Sequence, residues 1–260
     1  MMKFALLGCG NIGGFIANAV YRGVVHCELV SVYDKNPTAL EEFRKGVIHL
    51  NYKVAKDIDD LIEGVDLVVE AASQDAVKEN ALKILSAGKD FMLLSVGALA
   101  DESLFREMKT VAKEKGVRIY IPSGGIVGLD GMNAARLATI DSATIITRKP
   151  PASLGLSVDK ETIVYDGPAS EGVKKFPQNV NVAATLGVAT IGLERVRLTL
   201  IADPAVDRNI HEVRVKGDFG EFTTIARNLP SRQNPKTSWV AALSAIAMIR
   251  KMCDVVHIGT

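Results

Sequence analysis

Gly8-Cys9-Gly10-Asn11-Ile12-Gly13 separates two segments of different character. Ahead of it, Lys3–Leu7 is an apolar run that reads as a buried strand; behind it, Ile12–Tyr21 reads as a helix. A strand, a tight glycine turn and a helix make a phosphate-binding device. The first glycine permits the turn, the second lets the backbone approach a pyrophosphate, and the third lets helix and strand pack closely. The helix N-terminus adds free N–H groups and partial positive charge. The spacing therefore points to dinucleotide binding, with Gly8, Gly10, Asn11, Ile12 and Gly13 at the phosphates.

Moving outward, Glu28–Asp34 reads as a second strand ending in an acid. Asp34 lies 21 residues beyond Gly13, the separation at which a carboxylate meets the adenosine ribose hydroxyls. Lys35 follows and could pair with a 2′-phosphate, so NADP is not excluded; the Asp34 carboxylate would repel that phosphate, which favours NAD. Pro37 opens a helix through Lys45, as proline does at a first helical position. Strand segments Asp66–Ala71, Asp90–Ser95 and Val117–Ile121 alternate with helices Gln74–Ala87 and Asp101–Lys115. Such alternation predicts an α/β fold: a Rossmann doubly wound parallel sheet, with ligands beyond the carboxyl ends of the strands. Ala72 and Gly97 sit in small-residue segments directly after strands and are expected at the cofactor, as is Gly125 at the end of Pro122-Ser123-Gly124-Gly125.

From about Gly125 the pattern changes. Helix candidates at Val127–Leu137, Pro168–Lys175 and Asn181–Gly192 mix with strand candidates at Asp141–Arg148, Glu161–Tyr165, Glu194–Ala202, Asn209–Lys216 and Gly220–Arg227. The last three follow one another closely, so a second α+β domain with an open, mainly antiparallel sheet is expected. The resulting division is residues 1–123 for dinucleotide binding and 124–237 for substrate, with an apolar helix within 238–260 returning to the first domain. Alternation puts His211 on the face of Val213 and Val215. Read from the strand alone, a histidine on an apolar face is more often a satisfied core residue than a catalyst. The connector Leu229–Ser238 carries Ser231, Arg232, Asn234, Lys236 and Thr237. It reads either as a solvated link or as an anion-binding loop before a helix.

Composition narrows the function classes. Hydrophobic residues at 48% support a substantial core, and a net charge of +1 without charge blocks argues against nucleic acid or an anionic membrane as partner. Met1-Met2-Lys3 leads straight into the first strand, so no leader is expected, and no apolar run is long enough to span a bilayer. Three cysteines without metal-ligand spacing fit a reduced cytoplasmic protein, and no metal site is expected. A serine-hydrolase elbow is lacking too.

Several segments together resemble the L-aspartate dehydrogenase family. They are Gly8–Gly13, Pro122-Ser-Gly-Gly-Ile-Val-Gly-Leu-Asp130, Phe176-Pro-Gln-Asn-Val-Asn-Val-Ala-Ala-Thr185, Ile201-Ala-Asp-Pro204, Asn209-Ile-His-Glu-Val213 and Asn234-Pro-Lys-Thr-Ser238. The glycine turn is generic; the asparagine and histidine motifs are specific to that family. The resemblance implies NAD(P)-dependent oxidation of L-aspartate to iminoaspartate, then oxaloacetate and ammonia, or the reverse amination. In some organisms this supplies iminoaspartate for NAD biosynthesis. It also implies a homodimer and a C-terminal helix packed on the Rossmann domain. Carried over by motif, His211 becomes the active-site histidine, and Asn181, with Asn179 in reserve, the cofactor-contacting asparagine. Gly125 stands where the family's pattern often has alanine, a departure expected to change little. Asn179, Asn209, Ser231, Asn234, Lys236 and Thr237 are the candidates for holding the two substrate carboxylates. The rival readings are a two-domain reductase of the homoserine dehydrogenase or dihydrodipicolinate reductase type, and a non-catalytic NAD-binding sensor.

Overall fold

The first strand shows how an apolar run that ends at a turn residue becomes a buried strand. β1 (Lys3–Leu7) buries every residue after Lys3, as a strand covered by helices on both faces must. The computed structural model describes residues 1–177, 180–230 and 238–259. Within them, β1, β2 (Glu28–Tyr33), β3 (Lys53–Val54), β4 (Leu67–Glu70), β5 (Asp90–Leu93) and β6 (Ile119–Tyr120) form a parallel sheet in the order β3-β2-β1-β4-β5-β6. That is the doubly wound order, with its switch point between β1 and β4.

The intervening helices are α1 (Asn11–Tyr21), α2 (Pro37–Gly46), α3 (Ile58–Leu61), α4 (Gln74–Ser86) and α5 (Glu102–Lys115). Their starts are chemically marked. Asn36 accepts from the Thr38 N–H ahead of Pro37, Ser73 from Ala76, and Asp101 from Ser103 and Leu104, each satisfying a first-turn donor that has no partner within the helix. A 3-10 turn at Val96–Ala100 carries the buried Gly97 directly after β5.

The second sheet contains β7 (Ile140–Lys149), β8 (Thr162–Pro168), β9 (Arg197–Ala202), β10 (Asn209–Gly217) and β11 (Gly220–Asn228), in the order β11-β10-β7-β9-β8. Helices α6 (Leu129–Ala135), α7 (Ala169–Lys175) and α8 (Asn181–Ala189) accompany it. The sheet is mixed: β7 and β9 run parallel, and the other pairings are antiparallel. Closeness in sequence misleads at one point. β9 and β10 are successive but do not pair, because β7 lies between them. The apolar residues of β7 explain this central place: Ala143 and Ile145 are buried, with Thr147 and Lys149 on the same face.

Two compact units result, Met1–Pro122 with Ala242–His257, and Ser123–Ala241 with Ile258–Thr260. The last helix, α9 (Trp239–Cys253), sends Ala245 and Ile249 into the cluster that holds Phe4, Ile16, Val32 and Met92. Among the described residues no helix is long and apolar enough to cross a membrane.

Candidate active site

In the first unit the glycine turn is held by contacts that only glycine allows. Gly8 has φ +111°, and a Cβ there would lie 2.7 Å from the backbone of Ala71. At Gly13 a Cβ would stand 2.3 Å from the Gly8 carbonyl oxygen, so α1 can lie against the end of β1 only with hydrogen at that position. Gly10 differs: nothing lies within 4 Å of its would-be Cβ, and the residue is exposed. Its open side is where a pyrophosphate can approach the backbone. Asn11 and Ile12 begin α1, whose first turn carries no acidic side chain, which suits an anion.

Gly8, Gly10, Asp34 and Ala72 line one cleft of about 470 Å³ together with Tyr33, Asn36 and Asn80. The Asp34 carboxylate spans the turn's two sides. Its Oδ2 accepts from the Cys9 N–H at 2.7 Å, and Oδ1 accepts from the Asn36 N–H at 2.8 Å. Each oxygen retains a second lone pair for a hydroxyl donor. Lys35, the residue that could meet a 2′-phosphate, is ion-paired to Glu79, and Glu79 and Asp75 line the same cleft. Cys9 is buried, and burial above all pushes its thiol up to about 12, consistent with an inert thiol.

Glu70 is a site residue with no signal in the sequence pattern. It ends β4 fully buried, yet accepts from the Ala72 N–H (2.8 Å), the Leu94 N–H (3.2 Å), the Ser95 N–H (3.0 Å) and the Ser95 hydroxyl (2.8 Å). Burial pushes its carboxyl up, against the pull of these donors. One side chain thus ties the segment after β4 to the segment after β5. Glu70→Leu is expected to leave the buried Ser95 N–H and hydroxyl unpaired, while the Leu94 N–H keeps the Glu70 carbonyl, and to lower stability by about 2 kcal/mol or more, read as a drop in Tm; an unchanged Tm would show that the knot is dispensable.

The second unit gathers a separate polar cluster. In β10, His211, Val213 and Val215 are buried while Arg214 and Lys216 are exposed, as the strand's alternation predicts. His211 sits opposite Thr147 of β7 and Ala226 of β11. Its Nδ1 lies 3.0 Å from Thr147 Oγ1. Burial first, then the charge of Lys149, push its pKa down to about 3. Asn209 is paired in register with Asn228, and both are buried. Asn228 Nδ2 donates to the Gly125 carbonyl at 2.7 Å, and Asn209 Nδ2 donates to Ser238 Oγ at 3.4 Å. Gly125 closes over the imidazole. A Cβ there would lie 3.3 Å from His211 Nε2 and 3.2 Å from both Asn228 Nδ2 and Val182 Cγ1. An alanine here would need the imidazole, the Asn228 amide or the Val182 methyl to give by a few tenths of an ångström.

Asn181 is the first residue of α8, and its carbonyl accepts from the Thr185 hydroxyl. The N-cap position belongs to Val180, which makes no side-chain cap. Asn179, Ser231, Asn234, Lys236 and Thr237 lie outside the described residues. Thr147, Lys149 and Asn228 join the cluster without having been singled out in the sequence; polar residues at buried strand positions were the available signal.

A doubly wound sheet with this glycine turn, and a second unit bearing a buried histidine, define a nicotinamide-dinucleotide oxidoreductase. Residues 8–122 match the family model described as homoserine dehydrogenase, NAD binding domain, and residues 130–252 match the aspartate dehydrogenase C-terminal model. The chain is 47% identical to the L-aspartate dehydrogenase of Methanosarcina acetivorans, with both chains covered in full. It is 46% identical to that of Methanothermobacter thermautotrophicus, over all of this chain and 99% of the relative. The crystal structure of aspartate dehydrogenase from Thermotoga maritima superposes with a TM-score of 0.83 at 31% identity, covering 100% of each chain. This chain belongs to the L-aspartate dehydrogenase family, and its cofactor is NAD(P). The residues present fit that cofactor: the cradle under Gly13 excludes a Cβ, and Gly10 leaves its backbone open.

Proposed function

We propose that the protein oxidises L-aspartate to iminoaspartate, which hydrolyses to oxaloacetate and ammonia, or runs the reverse amination. Full-length likeness to curated L-aspartate dehydrogenases supports the substrate. The observation that carries the chemistry is the buried His211, with Thr147 on Nδ1 and Gly125 over Nε2.

Gly8, Gly10, Asn11, Ile12, Gly13, Asp34 and Ala72 would hold the dinucleotide, with Gly97, Gly125 and Asn181 toward its nicotinamide end. When bound, the nicotinamide supplies the hydride acceptor for the substrate Cα–H. His211 does the proton work. With Nδ1–H donating to Thr147 Oγ1, the Nε2 lone pair faces the site and can take a proton from the water that adds to the imine carbon. The resulting imidazolium is short-lived, because burial disfavours its charge, and it returns that proton to the departing amine, leaving the keto acid. Asn209 and Asn228 keep the surrounding polar groups in register and hydrogen-bonded.

The test is NADH formation from L-aspartate measured beside L-homoserine, each with NAD and NADP. Turnover of L-homoserine alone would favour the homoserine dehydrogenase reading that the match over residues 8–122 raises. No turnover with cofactor bound would favour a sensor.

The ion pair of Lys35 with Glu79 supports NAD over NADP. Asp34, Asp75 and Glu79 face the same cleft, and a dianionic 2′-phosphate would meet net negative charge. Glu79→Ala is expected to lower the KM for NADP by about tenfold by freeing Lys35, with the KM for NAD little changed. An unchanged NADP/NAD ratio would remove Glu79 from the specificity argument.

We take the working form to be a cytoplasmic homodimer. Free thiols at Cys9, Cys27 and Cys253 suit a reducing compartment. The homodimer is what likeness to the family suggests. Sedimentation as a 27.9 kDa species, or export of the chain in its own cell, would contradict these two points respectively.

A further inference from the structure

One buried polar side chain at the dinucleotide cleft has no part in the chemistry above. Asn80 stands in the middle of α4 and is only 9% exposed, yet it lines the cleft that Gly8, Gly10 and Asp34 also line. Asparagine is a poor residue for a helix interior, and the buried face of α4 is otherwise Val77, Ala81, Ile84 and Leu85. Helix packing alone therefore calls for an apolar residue at this position. The amide is held in one orientation, because Nδ2 donates to the Ala76 carbonyl at 2.8 Å. Its Oδ1 accepts from none of the described residues, and Nδ2 keeps a second hydrogen. Neighbouring polar groups of the cleft are engaged. Lys35 pairs with Glu79, and Asp75 with Lys78. The Asn36 carbonyl and the Ser73 hydroxyl accept first-turn N–H groups of α2 and α4.

We propose that Asn80 reads the base of the dinucleotide: its Oδ1 accepts from the 6-amino group of adenine, so the cleft selects adenine over a base that carries a carbonyl there. This deepens the assignment of the cleft to the adenosine end of the cofactor and rests on it. With the phosphates at Gly8 and Gly10 and the ribose at Asp34, the base falls in the remaining part of the cleft, which α2 and α4 bound with the small side chains of Ala39 and Ala76. Apolar walls accept the flat faces of any purine, so discrimination has to come from a polar group at its edge. Adenine presents a donor at N6 beside a ring acceptor, and the oxygen and N–H of one amide complement that pair. Hypoxanthine has an oxygen in place of the amino group. It would set acceptor against acceptor and leave the Asn80 carbonyl unpaired.

The experiment titrates the full chain, without substrate, with NADH and with reduced nicotinamide hypoxanthine dinucleotide, which share the fluorescent dihydronicotinamide and differ only in the base. The wild-type protein is expected to bind NADH tighter by about tenfold or more. Asn80→Leu keeps the helix and suits its buried face, so Tm should hold or rise. Its two affinities should come within about twofold of each other, chiefly through weaker NADH binding. Asn80→Asp keeps an acceptor at the same place. It should preserve the preference for adenine, and it carries the readout should the leucine variant not fold. A merely structural role for the amide would weaken both dinucleotides alike and leave their ratio at the wild-type value, which would overturn the assignment. So would equal binding of the two dinucleotides by the wild-type protein. Loss of the preference in Tyr33→Phe rather than in Asn80→Leu would overturn it as well, since Tyr33 lines the same cleft. Binding of neither dinucleotide by the wild-type protein would instead overturn the reading of the cleft beneath it.

Discussion

His211→Asn lowers turnover of L-aspartate by about 10²–10⁴-fold, the span that a positioned acid–base group contributes, while NADH binding stays near the wild-type value. The asparagine keeps a polar atom for Thr147 but has no ring nitrogen to take a proton at the Nε2 position beneath Gly125. A second readout separates chemistry from damage. In the folded chain His211 resists protonation until about pH 3, against an ordinary 6.5. The unfolded chain thus binds the extra proton first, so this contribution to stability is complete above pH 6.5 and is lost as pH falls toward 3. At pH 5 the loss amounts to about 2 kcal/mol. The wild-type Tm should therefore drop further than that of the asparagine variant between pH 7.5 and pH 5. Turnover close to wild type would end the catalytic role, and equal acid sensitivity would show that the histidine is not buried as described.

The second large effect lies in the glycine turn, and it divides by position. Gly13→Ala places a methyl 2.3 Å from the Gly8 carbonyl oxygen. Backbone cannot give way cheaply there, so α1 must lift from β1. Stability should fall by about 3 kcal/mol, the upper end for a forced overpacking, and NADH affinity should fall with it. Gly10→Ala meets nothing in the protein; Tm should hold while NADH affinity drops by roughly tenfold or more, because the methyl occupies the path of the pyrophosphate. Gly14, also with nothing within 4 Å, serves as the control: Gly14→Ala should leave binding intact and favour the helix slightly. Fluorescence titration with NADH and thermal melts give both quantities. Equal behaviour of the three variants would mean that the turn is not a phosphate cradle.

Much of the first unit was legible because its signals are local. Apolar runs bounded by Gly, Pro, Asn and Asp mark strands and helix starts, and Asn36, Ser73 and Asp101 cap where such residues should. The side to which His211 points followed from a period of two. Sheet order in the second unit was not legible in this way. β9 and β10 are near in sequence, yet β7 separates them, since pairing depends on long-range packing of Ala143 and Ile145 that no local window contains. Glu70 and Lys149 escaped for a related reason. A charged residue at the end of a strand looks like a solvent-facing boundary, and only the folded chain shows it buried among donors or beside an imidazole. Thr147 and Asn228 became meaningful only once the register of β7, β10 and β11 placed them around His211 and Gly125.

Ala245 and Ile249 share a core cluster with Phe4 and Ile16, and this bears on how the protein is made. During synthesis the ribosome delivers the glycine turn first, but the apolar surface beneath it stays uncovered until α9 emerges. Contacts between residues so far apart along the chain close late, and slowly, because a long loop must be ordered first. The growing polypeptide would hold an incomplete first unit throughout, a state in which exposed apolar surface invites association with other chains.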